Sequence, residues 1–305
     1  MAEVPEPVSE FPTLPARPDT SHKGLNGRIA IVAGSRGMSG AAVLCGLGAL
    51  RGGAGLVRVY TPASAQPIVA AGEPCYMTVP LAEDERGRLS PGGKGGLAAA
   101  LLESAHDVLA IGPGLGVGDG VRACICPAIC EFDGPVVLDA DALNNIADDS
   151  PRLDLGRRPE LHVLTPHPGE LARLRRGAGM PELKGDDDET RLRLAHEYAC
   201  YARANVVLKG HRTVVASPRQ TYINTTGNAG MATGGMGDVL TGLIAALLGQ
   251  GLGAFDSARL GVYVHGLAGN LCAQRVGPVG FLARDVADMI PIALAKAHVS
   301  RLGFR

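Results

Sequence analysis

Thr225-Thr226-Gly227-Asn228-Ala229-Gly230-Met231-Ala232-Thr233-Gly234-Gly235-Met236-Gly237-Asp238 runs straight into an apolar helical pattern, Val239, Leu240, Leu243, Ile244, Leu247 and Leu248. How this junction is read decides how the rest of the chain is read. Gly227, Gly230, Gly234, Gly235 and Gly237 tolerate positive φ and close backbone approach. Successive N–H groups in such a loop can converge on phosphate oxygens, and the start of the helix adds partial positive charge. Asp238 stands where that charge is greatest, an acid set in an anion hole. The plainer reading of a Gly-Asp pair is a flexible turn with the Asp as helix N-cap. Five glycines within eleven residues favour phosphate handling.

Upstream of this junction, short apolar runs alternate with helical patterns. Ile29 to Ala33, Leu56 to Tyr60, Asp107 to Ile111, Val136 to Leu138, Leu161 to Leu164 and Val206 to Leu208 are apolar on both faces and bounded by Gly, Pro or Asp, which reads as buried strands. Met38 to Arg51, Gly96 to Ser104, Leu192 to Arg203, Val239 to Leu248 and Ala254 to Ala273 read as helices. The expected fold is α/β, a mostly parallel sheet with helices on both faces. Thr213 to Ala216 and Thr221 to Asn224, separated by Ser-Pro-Arg-Gln, read instead as a hairpin. Residues 21–305 are expected to form one domain, behind a Pro-, Glu- and Ser-rich leader at 1–20 that is extended or disordered. Lys184 to Arg193 reads as a solvated loop and helix start.

Charge is balanced, with 29 basic against 30 acidic side chains, so a polyanionic partner such as nucleic acid is not expected. No run of roughly 18 apolar residues suggests a membrane span, and no signal pattern opens the chain; a cytoplasmic setting is the expectation. The seven cysteines lack a disulfide rhythm. Cys124, Cys126 and Cys130 lack the paired spacing of structural zinc sites and read as small side chains packed in a helix.

Ligands of open α/β sheets collect beyond the carboxyl ends of the strands, so the turns there carry the chemistry. Gly34-Ser35-Arg36-Gly37-Met38-Ser39-Gly40-Ala41-Ala42 and Gly112-Pro113-Gly114-Leu115-Gly116 are rich in small residues, but neither is a dinucleotide fingerprint, and no P-loop occurs. Small residues there serve close ligand approach or tight helix–sheet contact equally well. Thr165-Pro166-His167-Pro168-Gly169-Glu170 suits a His167 that binds substrate and a Glu170 that orients hydrated Mg²⁺, or else a capped helix start. Lys209, at a strand end, suits a nucleotide phosphate or plain solvation. Asp139, Asp141 and Asn144 suit metal water, a nucleotide, or a helix cap.

In this order, these segments, together with Leu138-Asp139-Ala140-Asp141-Ala142-Leu143-Asn144, resemble the ADP/ATP-dependent NAD(P)H-hydrate dehydratases of the ribokinase-like superfamily, over roughly residues 21–300. The resemblance implies a lyase for metabolite repair. A nucleotide phosphoryl group activates the hydroxyl of hydrated NADH or NADPH in its S form, and elimination returns the reduced cofactor, with AMP and phosphate when ADP is used. It implies that Ala41, Gly114 and His167 contact the substrate, that Asp238 faces its hydroxyl as base, and that Lys209, Gly210, His211, Arg212, Thr213 and Gly237 hold the nucleotide. Mg²⁺ is implied as cofactor, with Glu170 acting through water. An Asp at a helix start is expected to be a weak base, which a loose phosphoryl transition state tolerates. About twenty residues precede Ser21, so the expectation is dehydratase alone, paired with a separate epimerase. Exposed apolar helix faces suggest a homo-oligomer. The rival readings are a small-molecule kinase of the same superfamily and a silent nucleotide-binding module.

Overall fold

The computed structural model describes residues 4–9, 12–92, 96–147, 155–183 and 185–301. The strands are β1 (Arg28–Val32), β2 (Leu56–Pro62), β3 (Met77–Leu81), β4 (Val108–Ile111), β5 (Val136–Leu138), β6 (Val163–Leu164), β7 (Asn205–Leu208), β8 (Val214–Ala216) and β9 (Thr221–Ile223). The helices are α1 (Ser39–Arg51), α2 (Gln66–Gly72), α3 (Gly96–Leu102), α4 (Asp119–Glu131), α5 (Asp141–Ala147), α6 (Pro168–Gly177), α7 (Asp188–Ala202), α8 (Met236–Gly249), α9 (Ala254–Val276) and α10 (Ala283–Arg301).

One sheet orders the strands β3-β2-β1-β4-β5-β6-β7-β8-β9. The first seven are parallel, and β8 and β9 close the edge as the expected antiparallel hairpin. Side chains on both faces of β1, β4 and β5 are buried, because helices cover the sheet twice. Leu97, Ile125, Leu143, Leu171 and Ala195 of α3 to α7 pack on one face. Cys45, Val69, Ile244 and Ala258 of α1, α2, α8 and α9 pack on the other, and α10 adds Val286 and Ile290 outside them.

Three elements escape the sequence pattern: β3, α10 and α2, a seven-residue helix in which Val69 is buried. β3 is an edge strand with mostly half-exposed residues, so its apolar run is short. α10 contains Pro291, which breaks the usual periodicity signal. The described part of the leader, expected to be extended or disordered, lies extended along the body: Pro7 bridges Thr221 of β9, Val8 N–H donates to the Thr221 carbonyl at 2.8 Å, and Thr221 Oγ1 donates to the Pro5 carbonyl at 2.7 Å. An unpaired strand edge offers hydrogen bonds even to a proline-rich segment that cannot fold alone. Lys184 lies outside the described residues, and Arg191, expected to be solvated, is buried under the β7–β8 turn. No helix among the described residues is long and apolar enough to cross a membrane.

The chain leaves β1 toward β2 and β3, then returns to place β4 on β1's other side, so the topological switch point lies between β1 and β4. α1 and α8 cross in direct backbone contact at that point. A Cβ on Gly48 would collide with the Val239 carbonyl, and one on Gly242 with the Cys45 carbonyl. This contact sets the start of α8, and Asp238 with it, beside the switch point.

Candidate active site

Two glycine-rich turns form one wall of the crevice. Gly34 N–H donates to the Pro113 carbonyl at 2.8 Å and Ser35 Oγ to the Gly114 carbonyl at 2.7 Å, which zips the turn after β1 to the turn after β4. Gly114 has φ +66°, and a Cβ there would lie 2.9 Å from Ala41 Cβ. Ala41 and Gly114, far apart in the sequence, therefore touch. A ribbon at residues 82–92 crosses both turns: the Gly87 carbonyl accepts from Arg36 N–H at 3.0 Å, and Arg88 Nη1 donates to the Val117 carbonyl at 2.7 Å. From the other side, Asp141 Oδ2 accepts from Gly116 N–H at 2.8 Å and Asn145 Oδ1 from Gly118 N–H at 3.0 Å. Asp141 and Asn145 thus brace the turn, while Asn144 Oδ1 accepts from Arg173 Nε at 3.0 Å.

The opposite wall is built from charge. Lys209 leaves β7 with its Nζ 2.6 Å from Asp139 Oδ1 and 3.8 Å from Glu170 Oε2. Asp139, at the end of β5, is 1% exposed, and its Oδ2 accepts from Thr241 Oγ1 of α8 at 2.8 Å. Burial alone would push the Lys209 ammonium down, but Asp139 and Glu170 outweigh it and hold it above the usual lysine range. A Cβ on Gly237 would lie 3.3 Å from Lys209 Nζ, so the ammonium rests against the first turn of α8.

Asp238 projects from that turn. Burial pushes its pKa up to about 7, and Asp139 adds to the shift while Lys209 opposes it. The expectation of a weak base is therefore corrected: desolvation outweighs the helix dipole and gives a carboxylate poised near neutrality. His265 of α9 hydrogen-bonds the Met236 backbone, and burial lowers its pKa to about 4, leaving a neutral ring under the start of α8. The glycine loop also differs from expectation. Of its five glycines only Gly227 and Gly235 have positive φ, and Gly230 is small because it packs against the Pro278 carbonyl and Phe281.

His167 is the N-cap of α6. Its Nδ1 accepts from Gly169 N–H at 3.0 Å and Glu170 N–H at 3.3 Å, while Glu170 Oε2 accepts from His167 N–H at 2.8 Å. An accepting Nδ1 puts the proton of the neutral ring on Nε2, which lies 3.2 Å from Glu170 Oε1. The ring stays about half exposed, which leaves a face for a ligand. In the β7–β8 turn, Gly210 takes φ +141° and Arg212 φ +51°. Arg212 Nε donates to Asp188 at 2.7 Å, Thr213 Oγ1 to the Gly210 carbonyl at 2.9 Å, and His211 is exposed. Asp238, Gly237 and Lys209 thus meet at one corner and Ala41 with Gly114 at the switch point, while His211 and Arg212 lie on the outer turn.

The carboxylates match a hydrated Mg²⁺ better than a protein cage. Glu170 and Asp139 already accept hydrogen bonds, and no group of three or more His, Cys, Asp or Glu among the described residues is arranged to hold a metal. Mg²⁺ commonly arrives with phosphates and keeps several waters, which such a site accommodates. Sequence reasoning missed Thr241, Asn145 and the 82–92 ribbon, because a hydroxyl inside an apolar helix and an arginine in a ribbon carry no local signal.

A family model described as NAD(P)H-hydrate dehydratase matches residues 29–292, which include both walls of the crevice. The chain belongs to the NAD(P)H-hydrate dehydratase family. It is 38% identical to an ADP-dependent (S)-NAD(P)H-hydrate dehydratase of Neisseria meningitidis, over 89% of this chain and 86% of that one. It is 45% identical to a bifunctional NAD(P)H-hydrate repair enzyme of Moorella thermoacetica, over 92% of this chain and 52% of the relative, so it spans about half the length of such bifunctional relatives. The structure superposes with a TM-score of 0.76 on the ADP/ATP-dependent NAD(P)H-hydrate dehydratase of Bacillus subtilis, co-crystallised with ATP and Mg²⁺, at 32% identity over 93% of this chain and 94% of that one. A ribokinase of Thermotoga maritima shares the fold at 14% identity, with a TM-score of 0.56 over 88% of this chain and 99% of that one. The family is thus one of ribokinase-like fold.

Proposed function

We propose that the protein dehydrates the S form of hydrated NADH or NADPH, with ADP as phosphoryl donor and Mg²⁺ as cofactor. The observation that carries this reading is the corner where the Asp238 carboxylate and the Lys209 ammonium flank the first turn of α8. Asp238 takes the proton of the ring hydroxyl as that oxygen attacks the terminal phosphorus of the nucleotide. Lys209 and the N–H groups at the start of α8 spread the charge of the transferring group. Glu170 is the carboxylate that would hold a nucleotide-bound Mg²⁺, through water, and the ion would supply neutralisation of the phosphate charge. Loss of phosphate together with a neighbouring ring proton then restores the double bond.

Ala41, Gly114 and His167 contact the hydrated dinucleotide in this reading, and the β7–β8 turn from Lys209 to Thr213 holds the nucleotide with Gly237. Strand order supports the division. β7 stands three strands beyond β4, so the two ligands approach Asp238 from opposite sides. The relatives' names supply the substrate, the S configuration and the choice of ADP. An epimerase that converts the other hydrate works alongside the enzyme.

The test is return of reduced-nicotinamide absorbance when the purified protein meets chemically hydrated NADH with Mg²⁺ and ADP or ATP. A rise with ADP is expected. A stable phosphorylated product without that rise would instead identify a kinase.

A further inference from the structure

We infer that Asp139 is a positioning residue of this site: it holds the Lys209 ammonium and the first turn of α8 together, so that Lys209 and Asp238 face the same phosphoryl group. The inference rests on the dehydratase reading for what is transferred, and on geometry alone for the arrangement.

Both oxygens of Asp139 are used, and on different elements. Oδ1 pairs with Lys209 Nζ of β7 at 2.6 Å, and Oδ2 accepts from Thr241 Oγ1 of α8 at 2.8 Å. Thr241 is one turn beyond Asp238 on the same helix, so this hydrogen bond fixes how α8 is rotated and how far it sits from the end of β5. The backbone at Asp139 is as constrained as its side chain. The next residue, Ala140, is held at φ +48°, a left-handed conformation that a residue with a Cβ seldom adopts. The Asp139 carbonyl fills the space a Cβ on Gly112 would need, which locks the turn carrying Gly114 to the same residue. A buried ion pair contributes little net stability to a fold. This one joins the nucleotide side, the base and the substrate turn at one point, and that is what its burial secures.

Charge is the second part of the role. The groups facing Asp238 are Asp139 at the end of β5, Lys209 at the end of β7 and Asp141 of α5, with Cys45 of α1 held neutral by burial; His265 of α9, also neutral, lies beneath Met236. Among these, Asp139 is the carboxylate that keeps the ammonium in place and also disfavours ionisation of Asp238. The titration of Asp238 reads the charge of Asp139, and turnover reads the positioning.

Asp139→Asn and Thr241→Val separate the two parts. In the ligand-free protein, carboxyl NMR titration of Asp238 is expected to give a value near 7 in the native chain and in Thr241→Val. Asp139→Asn, which keeps the shape but removes the charge, is expected to lower it by roughly one unit or more. In turnover assays, Asp139→Asn lowers kcat by about 10- to 100-fold and moves the acid limb of the pH profile down. Thr241→Val lowers kcat by roughly threefold to tenfold and leaves that limb in place. An unchanged Asp238 titration in Asp139→Asn, or a kcat within twofold of native in a folded Asp139→Asn, overturns the inference. If Asp139→Asn does not fold, an unchanged kcat in Thr241→Val overturns it. Absence of turnover in the native chain would instead strike the dehydratase reading, because the titration is read without substrate.

Discussion

The two walls of the crevice are built by opposite means. The switch-point wall is mainly backbone: Gly34, Gly112 and Gly114 bring peptide groups into contact, and the braces from Ser35, Asp141 and Asn145 end at an N–H or a carbonyl. The α8 wall is side-chain charge: Asp139, Lys209, Glu170 and Asp238 gather where strands β5, β6 and β7 end. A backbone wall recognises shape and depends less on charge, whereas a charged corner in low dielectric responds strongly to protonation. On the proposed division of substrate placement from chemistry, each wall can be damaged alone.

The sharpest break is Asp238→Asn. Turnover of hydrated NADH is expected to fall by about 10²- to 10⁴-fold, while ADP affinity by calorimetry stays within a fewfold of native. Loss of nucleotide binding in a folded variant would show that the charged wall serves mainly to hold the nucleotide. The same variant tests the cost of the site. Asp238 titrates near 7 in the fold against 3.8 unperturbed, so its contribution to stability is fully present below about 3.8 and lost as pH rises through about 7. Asp238→Asn removes that loss, and denaturant unfolding at pH 8 is expected to show a gain of about 1–2 kcal/mol that vanishes in acid.

Next in size is pH itself. With a base near 7, kcat/KM is expected to fall about tenfold per unit on the acid side, roughly a hundredfold at pH 5. A flat profile down to pH 5 would mean that Asp238 works as an ordinary low-pKa carboxylate.

The backbone wall is probed by Gly114→Ala, which places a Cβ 2.9 Å from Ala41 at a φ of +66°. We expect a loss of about 1–3 kcal/mol in stability and a KM for the hydrate raised by about tenfold or more, with ADP affinity unchanged. A raised KM for ADP instead would mean that the two ligands share this wall. Smallest is Asn145→Ala. Asn145 donates to the Gly116 carbonyl at 2.9 Å and accepts from Gly118 N–H at 3.0 Å, and its removal is expected to cost about 1–2 kcal/mol and raise the hydrate KM severalfold. Its acid limb should match that of the native chain, which separates it from any change at Asp139.

The alternation of apolar runs and helical patterns determined the α/β fold, because strands buried on both faces and helices buried on one carry distinct periodicities. It also drew attention to the strand ends and to Asp238, where a glycine-rich loop meets an acidic helix start. The edge strand β3, the proline-containing α10 and the strap along β9 left weak signals, because their burial depends on neighbours distant in sequence. Only the tertiary structure decided the rest. It paired Lys209 with Asp139, made His167 a helix cap with an open face, and raised Asp238 from the usual carboxylate range to near neutrality. A residue's type is local, but its protonation state depends on the charges and the dielectric around it, and here those are set by segments that meet only after folding.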